Sequence, residues 1–208
     1  MPMAGFFRLD QSFPDQHTHV LKTTIAAIQQ IYTLGEPALN RFTGLLTRME
    51  QTRASLLIEA GKVEQYLYFI ETGLARAYVN GENQQINIWF GKEGDVMLSF
   101  NSYIYRKPGY ENIELLEDAV LYRLNHHQLQ NLYRNDLEIA NWGRKFAEKE
   151  LVKTEERFIC RQFKTAKERY LELIADTPEL LRRMPLGHIA SYLGVSPVTV
   201  SRIRAEVR

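Results

Sequence analysis

The sequence predicts an α+β protein with helices at its N-terminal end, an antiparallel β-roll in the middle, and a long helix and a small helical domain after the roll. Apolar residues recur with a period near 3.6 before residue 52 and again after residue 125, as in amphipathic helices. Between these positions the period is 2, in short runs rich in Tyr, Val, Ile and Phe separated by turn residues. Many short strands at this spacing are typical of an antiparallel roll or barrel.

Two helices are expected before the roll. Residues 17–34 place apolar side chains at helical spacing, and Gly35 is expected to end this helix in the left-handed conformation. A second helix is expected over residues 37–46, with Pro37 in its first turn. We therefore assign residues 1–35 to an N-terminal helical extension.

The roll is assigned to residues 36–134. Asn80-Gly81 lies between two of its expected strands and predicts a tight hairpin, because both central residues of such a turn favour positive φ. The expected strands are 55–58, 66–72, 74–80, 85–90, 96–99, 113–116 and 120–124.

A short helix over residues 127–133 and a long one over residues 136–160 are expected next. The apolar face of the long helix suits either packing on the roll or pairing with a second copy of the chain. We expect a homodimer, because an exposed patch of Trp142 and Phe146 would promote aggregation, and we assign residues 135–162 to a dimerisation helix. The apolar residues of that face are Ile139, Trp142, Phe146, Ala147, Leu151, Phe158 and Ile159.

Helices over residues 165–176 and 178–184 lead to the strongest motif in the chain, which begins at residue 186 and predicts a helix-turn-helix. Ala190 is small where the second helix crosses the first, and Gly194 supplies the positive φ of the turn. Ser196 is the expected N-cap of the second helix and Pro197 its first residue. The apolar residues expected to fix the angle between the helices are Ile189, Leu193, Val195, Val200 and Ile203. We assign residues 163–208 to this domain, with an ordinary helical hairpin as the alternative.

The second helix of the motif is expected to expose residues of the kinds that contact base edges and phosphates. The expected DNA contacts are Ser196, Pro197, Thr199, Ser201, Arg202 and Arg204. The charge distribution agrees, because residues 161–208 carry 9 Lys and Arg against 5 Asp and Glu, whereas residues 1–160 carry 17 against 20. The sequence therefore predicts binding to double-stranded DNA. A protein-interaction module is the alternative, and the outward arginines argue against it.

Composition excludes several other classes of protein. The chain is 45% apolar with a single cysteine, Cys160, so neither a disulfide framework nor an iron–sulfur cluster is expected. No apolar stretch approaches the roughly 18 residues of a membrane span, and the first residues lack the order of a secretory signal. We expect a cytoplasmic protein that is not an enzyme, with no cofactor and no metal, because no catalytic constellation, phosphate loop or metal-ligand spacing is present.

The succession of roll, long helix and C-terminal helix-turn-helix resembles the cyclic-AMP receptor protein/FNR family of bacterial transcription regulators. Within residues 56–78, Gly61 and Gly73 stand where that family keeps glycines of the roll, and Gly94-Asp95 matches the start of its phosphate-binding cassette. The resemblance implies a cyclic-nucleotide-binding-like jelly roll that senses a small ligand, a homodimer, a palindromic operator and contact with RNA polymerase. It also implies a hairpin wing after the recognition helix, for which the sequence up to Arg208 has no candidate.

The cassette departs from the family in the residues that hold a cyclic nucleotide. The Gly-Glu pair that binds the ribose falls on Leu98-Ser99, and the Arg-Ser pair that binds the phosphate falls on Gly109-Tyr110. A buried phosphate needs a guanidinium and amide donors, so we expect an effector other than a cyclic nucleotide, or none. The bulky residues Phe100, Tyr103, Ile104 and Tyr105 are expected to fill part of the space. The expected effector pocket is formed by Leu98, Ser99, Phe100, Gly109 and Tyr110. A cyclic-nucleotide-responsive regulator with a divergent cassette is the alternative.

Overall fold

A computed structural model describes residues 21–207 of the chain. Residues 1–20, which include most of the expected N-terminal extension and the predicted start of its helix, lie outside the described residues, as does Arg208.

Two helices precede the roll, but Gly35 does not end the first of them. Helix α1 (Lys22–Ile31) ends at Tyr32 in an extended conformation. Gly35, with φ −64°, is instead the N-cap of α2 (Glu36–Thr43), which has a proline in its first turn as predicted. The backbone amides of Thr23 and Thr24 donate to the buried carboxylate of Glu71, 3.0 and 2.8 Å away, so that α1 is attached to the roll at its first turn.

The roll contains two four-stranded antiparallel sheets, with strand orders β1-β8-β3-β6 and β2-β7-β4-β5. The seven expected strands are confirmed to within two residues at either end. An eighth, β1, was missed because it is a largely exposed edge strand without apolar alternation. The strands are β1 (Thr47–Gln51), β2 (Leu56–Ile58), β3 (Tyr66–Thr72), β4 (Ala75–Asn80), β5 (Gln85–Gly91), β6 (Val96–Met97), β7 (Asn112–Leu115) and β8 (Ala119–Asn125).

The hairpin between β4 and β5 is present, but its predicted two-residue turn is wrong. Asn80 pairs with Gln85, which leaves four residues in the loop, and the amide of Gly81 donates to the carbonyl of Gln84 at 2.8 Å. Positive φ occurs elsewhere in the roll, at Gly73 for example, where φ is +114° and an added Cβ would lie 2.6 Å from that of Ala119.

The helices after the roll are α3 (Phe100–Tyr105), which was not predicted, α4 (His126–Asn135) and α5 (Leu137–Phe163). The first half of α5 packs on its own roll. Trp142 is fully buried, its ring lies 4.8 Å from that of Phe42, and its Nε1–H donates to the carbonyl of Ile28 at 2.9 Å. The expected exposed patch of Trp142 and Phe146 is therefore wrong, because both side chains belong to the core between the roll and its flanking helices.

Four helices form the C-terminal domain: α6 (Ala166–Asp176), α7 (Leu180–Arg183), α8 (Leu186–Leu193) and α9 (Pro197–Glu206). Thr165 and Glu168 form a capping box at the start of α6. The core of this domain includes Leu74 and Phe90 of the roll, so the two parts share one apolar cluster. No helix between residues 21 and 207 is both long and apolar enough to cross a membrane.

Candidate DNA-binding surface and effector cavity

The pair α8 and α9 has the geometry of a helix-turn-helix. Gly194 has φ +69° and ends α8, and the amide of Val195 donates back to the carbonyl of Ala190 at 3.0 Å. The side chains that join the two helices are buried: Ile189, Ala190, Leu193, Val200 and Ile203. Val195, expected in the same core, is half-buried at its edge.

The second helix begins as its sequence predicts. Ser196 is extended, its hydroxyl accepts the amide of Thr199 at 3.2 Å, and a proline occupies the first turn. Among the residues predicted to contact DNA, Ser196, Pro197, Ser201 and Arg202 are exposed, and Thr199 and Arg204 are half-buried. The guanidinium groups of Arg202 and Arg204 make no hydrogen bond to another residue within 21–207.

Arg169 of α6 supports the turn, and the sequence analysis did not single it out. Its guanidinium donates to the carbonyl of Lys164 at 2.5 Å and to that of Leu193 at 2.7 Å. The last carbonyls of a helix lack partners within the helix. Arg169 therefore satisfies the end of α8 and fixes it against the end of α5.

Helix α8 lies against the edge of the roll at β5. The hydroxyl of Ser191 accepts the amide of Asn87 at 3.0 Å and donates to the carbonyl of Gln85 at 2.8 Å, so it pairs the free edge of this strand. Arg76, buried and paired with Glu114 at 2.6 Å, contacts Nδ1 of His188 at 3.3 Å. Burial and the charge of Arg76 lower the pKa of His188, which favours a neutral ring as the acceptor.

A second contact attaches α7 to the roll. Arg183 donates to both oxygens of Glu93 at 2.9 Å and to the carboxylate of Glu117 at 3.0 and 2.5 Å. Burial alone would raise the pKa of Glu93, but its hydrogen bonds from Arg183 and from the amide of Gly73 outweigh burial and lower the pKa to about 2. The C-terminal domain is therefore held on the roll by polar contacts at two separate places.

A cavity of about 380 Å³ lies between the roll and the second half of α5. Of the expected pocket residues, Leu98, Phe100 and Tyr110 line it, whereas Ser99, which is buried, and Gly109 do not. The lining residues are Ala77, Ile88, Trp89, Val96, Met97, Leu98, Phe100, Tyr110, Glu111 and Ile113 from the roll, and Glu150, Thr154, Arg157, Phe158 and Arg161 from α5.

The expectation that Phe100, Tyr103, Ile104 and Tyr105 fill part of this space is largely wrong. Only Phe100 reaches the cavity, because α3 is short and turns its other side chains away. Ile104 and Tyr105 are exposed to solvent, and the hydroxyl of Tyr103 bonds that of Tyr133 on α4 at 2.8 Å.

Both the roll and the whole fold are similar to known proteins. Residues 50–136 match the sequence model of the cyclic nucleotide-binding domain family. The chain resembles the structure of FixK2 from Bradyrhizobium japonicum with a TM-score of 0.68, at 21% identity over 78% of this chain and 84% of that one. No curated protein matches the sequence.

Two further solved structures are similar to this chain over most of its length. The c-di-GMP responsive global regulator CLP of Xanthomonas campestris has a TM-score of 0.65, at 14% identity over 83% of this chain and 91% of that one. A transcriptional regulator described as a member of the Crp/Fnr family, from Eubacterium rectale, also has a TM-score of 0.65, at 13% identity over 83% of both chains.

The chain has the Crp/Fnr fold.

Gly94-Asp95, the expected start of the cassette, pairs with strand β3 of the roll. Gly94 has φ +88°, and its amide and the carbonyl of Asp95 bond both backbone groups of Ile70. The positions matched to the family's glutamate and arginine hold Ser99 and Gly109. Sequence reasoning missed Glu111, whose carboxylate stands at this point of the cavity with the residue only 7% exposed.

No metal site accompanies this cavity. Residues 21–207 contain no group of three His, Cys, Asp or Glu side chains placed to hold an ion. Nε2 of His126 bonds the carbonyl of Tyr103 at 2.8 Å. Cys160 is half-buried and donates to the carboxylate of Glu172 at 3.3 Å, and burial, with that carboxylate, raises the pKa of its thiol.

Proposed function

We propose that the protein is a sequence-specific DNA-binding transcription regulator that acts as a homodimer. The observation that carries the proposal is the helix-turn-helix, whose second helix has a satisfied N-terminus and presents Arg202 and Arg204 without partners among the described residues. Arg202 lies on the side of α9 away from its contact with α8, which is the side a recognition helix turns to the major groove. Arg204 is half-buried and flanks that contact, since it lies one turn after buried Val200. The proposed DNA contacts are Ser196, Pro197, Thr199, Ser201, Arg202 and Arg204.

Each segment of the chain is assigned a proposed role. Residues 36–134 form the effector domain, residues 135–162 the dimerisation helix and residues 163–208 the DNA-binding domain, with residues 1–35 as an N-terminal extension. We further propose a bacterial, cytoplasmic protein without enzymatic activity that works on a palindromic operator together with RNA polymerase.

The second half of α5 supports the homodimer. It exposes five large apolar side chains within 13 residues, more than a helix facing only water would carry. They are Leu151, Val152, Phe158, Ile159 and Phe163. A parallel copy of the same helix would cover them and place two DNA-binding domains on one side of the pair.

Selection of bound duplexes from a random DNA pool tests the proposal directly. We expect a single enriched motif with two-fold symmetry, since a symmetric dimer reads two identical half-sites. Enrichment of an asymmetric single half-site would contradict the dimer. No enrichment over the starting pool would contradict DNA recognition and would favour the protein-interaction alternative.

Replacing Arg202 by alanine is expected to weaken binding to the selected DNA by about 1–3 kcal/mol, the contribution of a good contact to a base edge. Binding to random DNA should fall much less, because phosphate contacts elsewhere are retained. Titrations of both duplexes at one salt concentration measure the difference. Arg182→Ala is the control, since it removes the same charge from an exposed position on α7. Equal losses on both duplexes would show that Arg202 touches only phosphate.

Binding of a cyclic nucleotide to the roll is the alternative for its ligand. We expect calorimetric titration with cyclic AMP to give a dissociation constant of about 1 mM or weaker, because a micromolar ligand has only about 8 kcal/mol in total and burial of an unpaired anion costs several. DNA binding should be indifferent to cyclic AMP. A micromolar constant, or operator affinity that rises with cyclic AMP, would favour the alternative. That CLP responds to c-di-GMP makes this dinucleotide a second ligand for the same titration.

A further inference from the structure

The wall of the roll cavity carries a buried carboxylate whose charge is not paired. Glu111 is 7% exposed and lines the cavity. Within residues 21–207 its carboxylate accepts one hydrogen bond, from the amide of Tyr110 at 3.1 Å, and forms no ion pair. Buried charges in proteins are normally paired, because an isolated ion loses its hydration without compensation. Glu111 therefore lines the cavity with a carboxylate that has an oxygen free to accept from a ligand.

The backbone around Glu111 leaves no room for a cationic side chain of the roll in this part of the cavity. A Cβ added at Gly109 would lie 2.3 Å from the hydroxyl of Ser99 and 3.0 and 3.2 Å from the two Glu111 oxygens. Gly109 is also held on both sides, its carbonyl by the amide of Gly61 at 2.9 Å and its amide by the carbonyl of Lys62 at 3.3 Å. An arginine at position 109 would therefore clash, and a bound anion would meet a carboxylate.

The remaining walls are mostly apolar and aromatic. Trp89 and Phe100 come from the roll and Phe158 from α5, and Ile88 and Met97 of the roll also line the cavity. A ligand body that fills such walls must itself be apolar, and aromatic faces attract a cation placed over them.

The second carboxylate and the cations of the cavity all come from α5. Glu150 is already paired with Lys153 at 2.7 Å, so it does not need a ligand charge. Arg157 donates to the hydroxyl of Thr154 at 3.0 Å, and neither Arg157 nor Arg161 forms an ion pair with Glu111. The unpaired negative charge is thus specific to the roll side of the cavity.

We propose that this cavity binds an organic cation, a protonated amine carried on an aromatic or similarly apolar body. The ammonium group donates to the carboxylate of Glu111, and the body packs between Trp89, Phe100 and Phe158. The proposal deepens the proposed function, on which it rests for the role of the ligand as an effector. Because α5 supplies one wall and also the proposed dimer face, an occupied cavity would bear on the helix that positions the two DNA-binding domains.

Three probes of one size and different charge test the choice of ligand: 2-phenylethylamine, 2-phenylethanol and phenylacetate. Calorimetric titration of the full chain without DNA measures each affinity, and quenching of Trp89 fluorescence reports on the site. We expect the amine to bind roughly 10- to 100-fold more tightly than the alcohol, as a hydrogen-bonded charge pair allows. Phenylacetate should not bind at the same concentrations.

Glu111→Gln keeps the shape of the side chain and removes its charge, so the preference for the amine over the alcohol should disappear. Glu150→Gln is the matched control, because it removes a carboxylate from the same cavity that is already paired, and it should keep the preference. Equal affinity for amine and alcohol, tighter binding of phenylacetate, or no binding of the amine at millimolar concentration would each overturn the proposal.

The titrations separate this proposal from the proposed function. Binding of the amine by a chain that selects no DNA would leave the ligand class standing and reject the regulator. Selection of DNA by a chain that ignores the amine would reject the ligand class alone.

Discussion

Replacing Leu151 by aspartate is expected to dissociate the protein into monomers and to weaken its binding to the selected palindrome about 100- to 10,000-fold. Leu151 is 70% exposed within the described chain and belongs to none of its apolar clusters, so it has little intrachain packing to lose. In a symmetric pair of α5 helices it meets the partner, so the substitution buries two unpaired carboxylates per dimer. The loss on DNA is large because two linked half-sites bind with an avidity that one domain alone lacks.

The position of Leu151 on α5 makes the test specific. Leu151 and Phe158 are seven residues apart, as are Val152 and Ile159, so both pairs repeat on one face of the helix. Glu155 lies on the same face, four residues from both Leu151 and Ile159, and two-fold pairing brings its two copies near each other. The cavity side of α5, with Thr154 and Arg157, is adjacent to this face, and Phe158 belongs to both.

Two further variants make the dimer prediction sharper. Lys153→Asp places an aspartate on the opposite face of α5, where it removes the pair with Glu150, and should leave the dimer intact. Glu155→Leu removes a repulsion and should tighten the dimer. Sedimentation at tens of micromolar measures the association state, and titration of the selected duplex measures DNA affinity. A wild-type monomer with full DNA binding, or dissociation by Lys153→Asp as much as by Leu151→Asp, would contradict this interface.

Elements that bury one face could be predicted from the sequence, because burial imposes a period. Strand β3 was predicted to the residue, since its centre is buried in the roll, and the helix-turn-helix was predicted from the spacing of its apolar residues around Gly194. Strand β1 and helix α3 lack such a period, because both are short and bury few of their side chains. The sequence therefore contains no local signal for them.

Features that depend on a contact distant in the sequence could not be predicted. A glycine after a helical run suggested a helix end at Gly35. In the structure the side chain of Gln29 bonds both backbone groups of Leu34, and the amide of Gly35 donates to Glu138, 2.6 Å away. The partners of Arg183 in the roll lie 90 and 66 residues away. Glu111 escaped notice for the same reason, since the cavity that it lines is completed by residues of β5 and α5 that are distant in the sequence.

The same limit explains why Trp142 was taken for a dimer contact, and its replacement by alanine is expected to lower the free energy of unfolding by about 3–5 kcal/mol. The side chain is fully buried, its ring stacks on Phe146 with centroids 5.5 Å apart, and it fills the space between α5, α2 and the roll. A loss of this size is a large part of the roughly 5–15 kcal/mol that stabilises a typical domain. Urea denaturation in the monomeric Leu151→Asp background measures it, because association then adds nothing to the apparent stability.

Phe163→Ala is the control for Trp142→Ala, since it removes an aromatic side chain of the same helix that is 79% exposed. In the monomeric background it should change the free energy of unfolding by no more than about 0.5 kcal/mol. Should Trp142→Ala fail to fold, Trp142→Phe keeps a ring in the core but loses the bond to the carbonyl of Ile28, and a smaller loss is expected. Equal effects of Trp142→Ala and Phe163→Ala would place Trp142 outside the intrachain core and return it to the dimer interface.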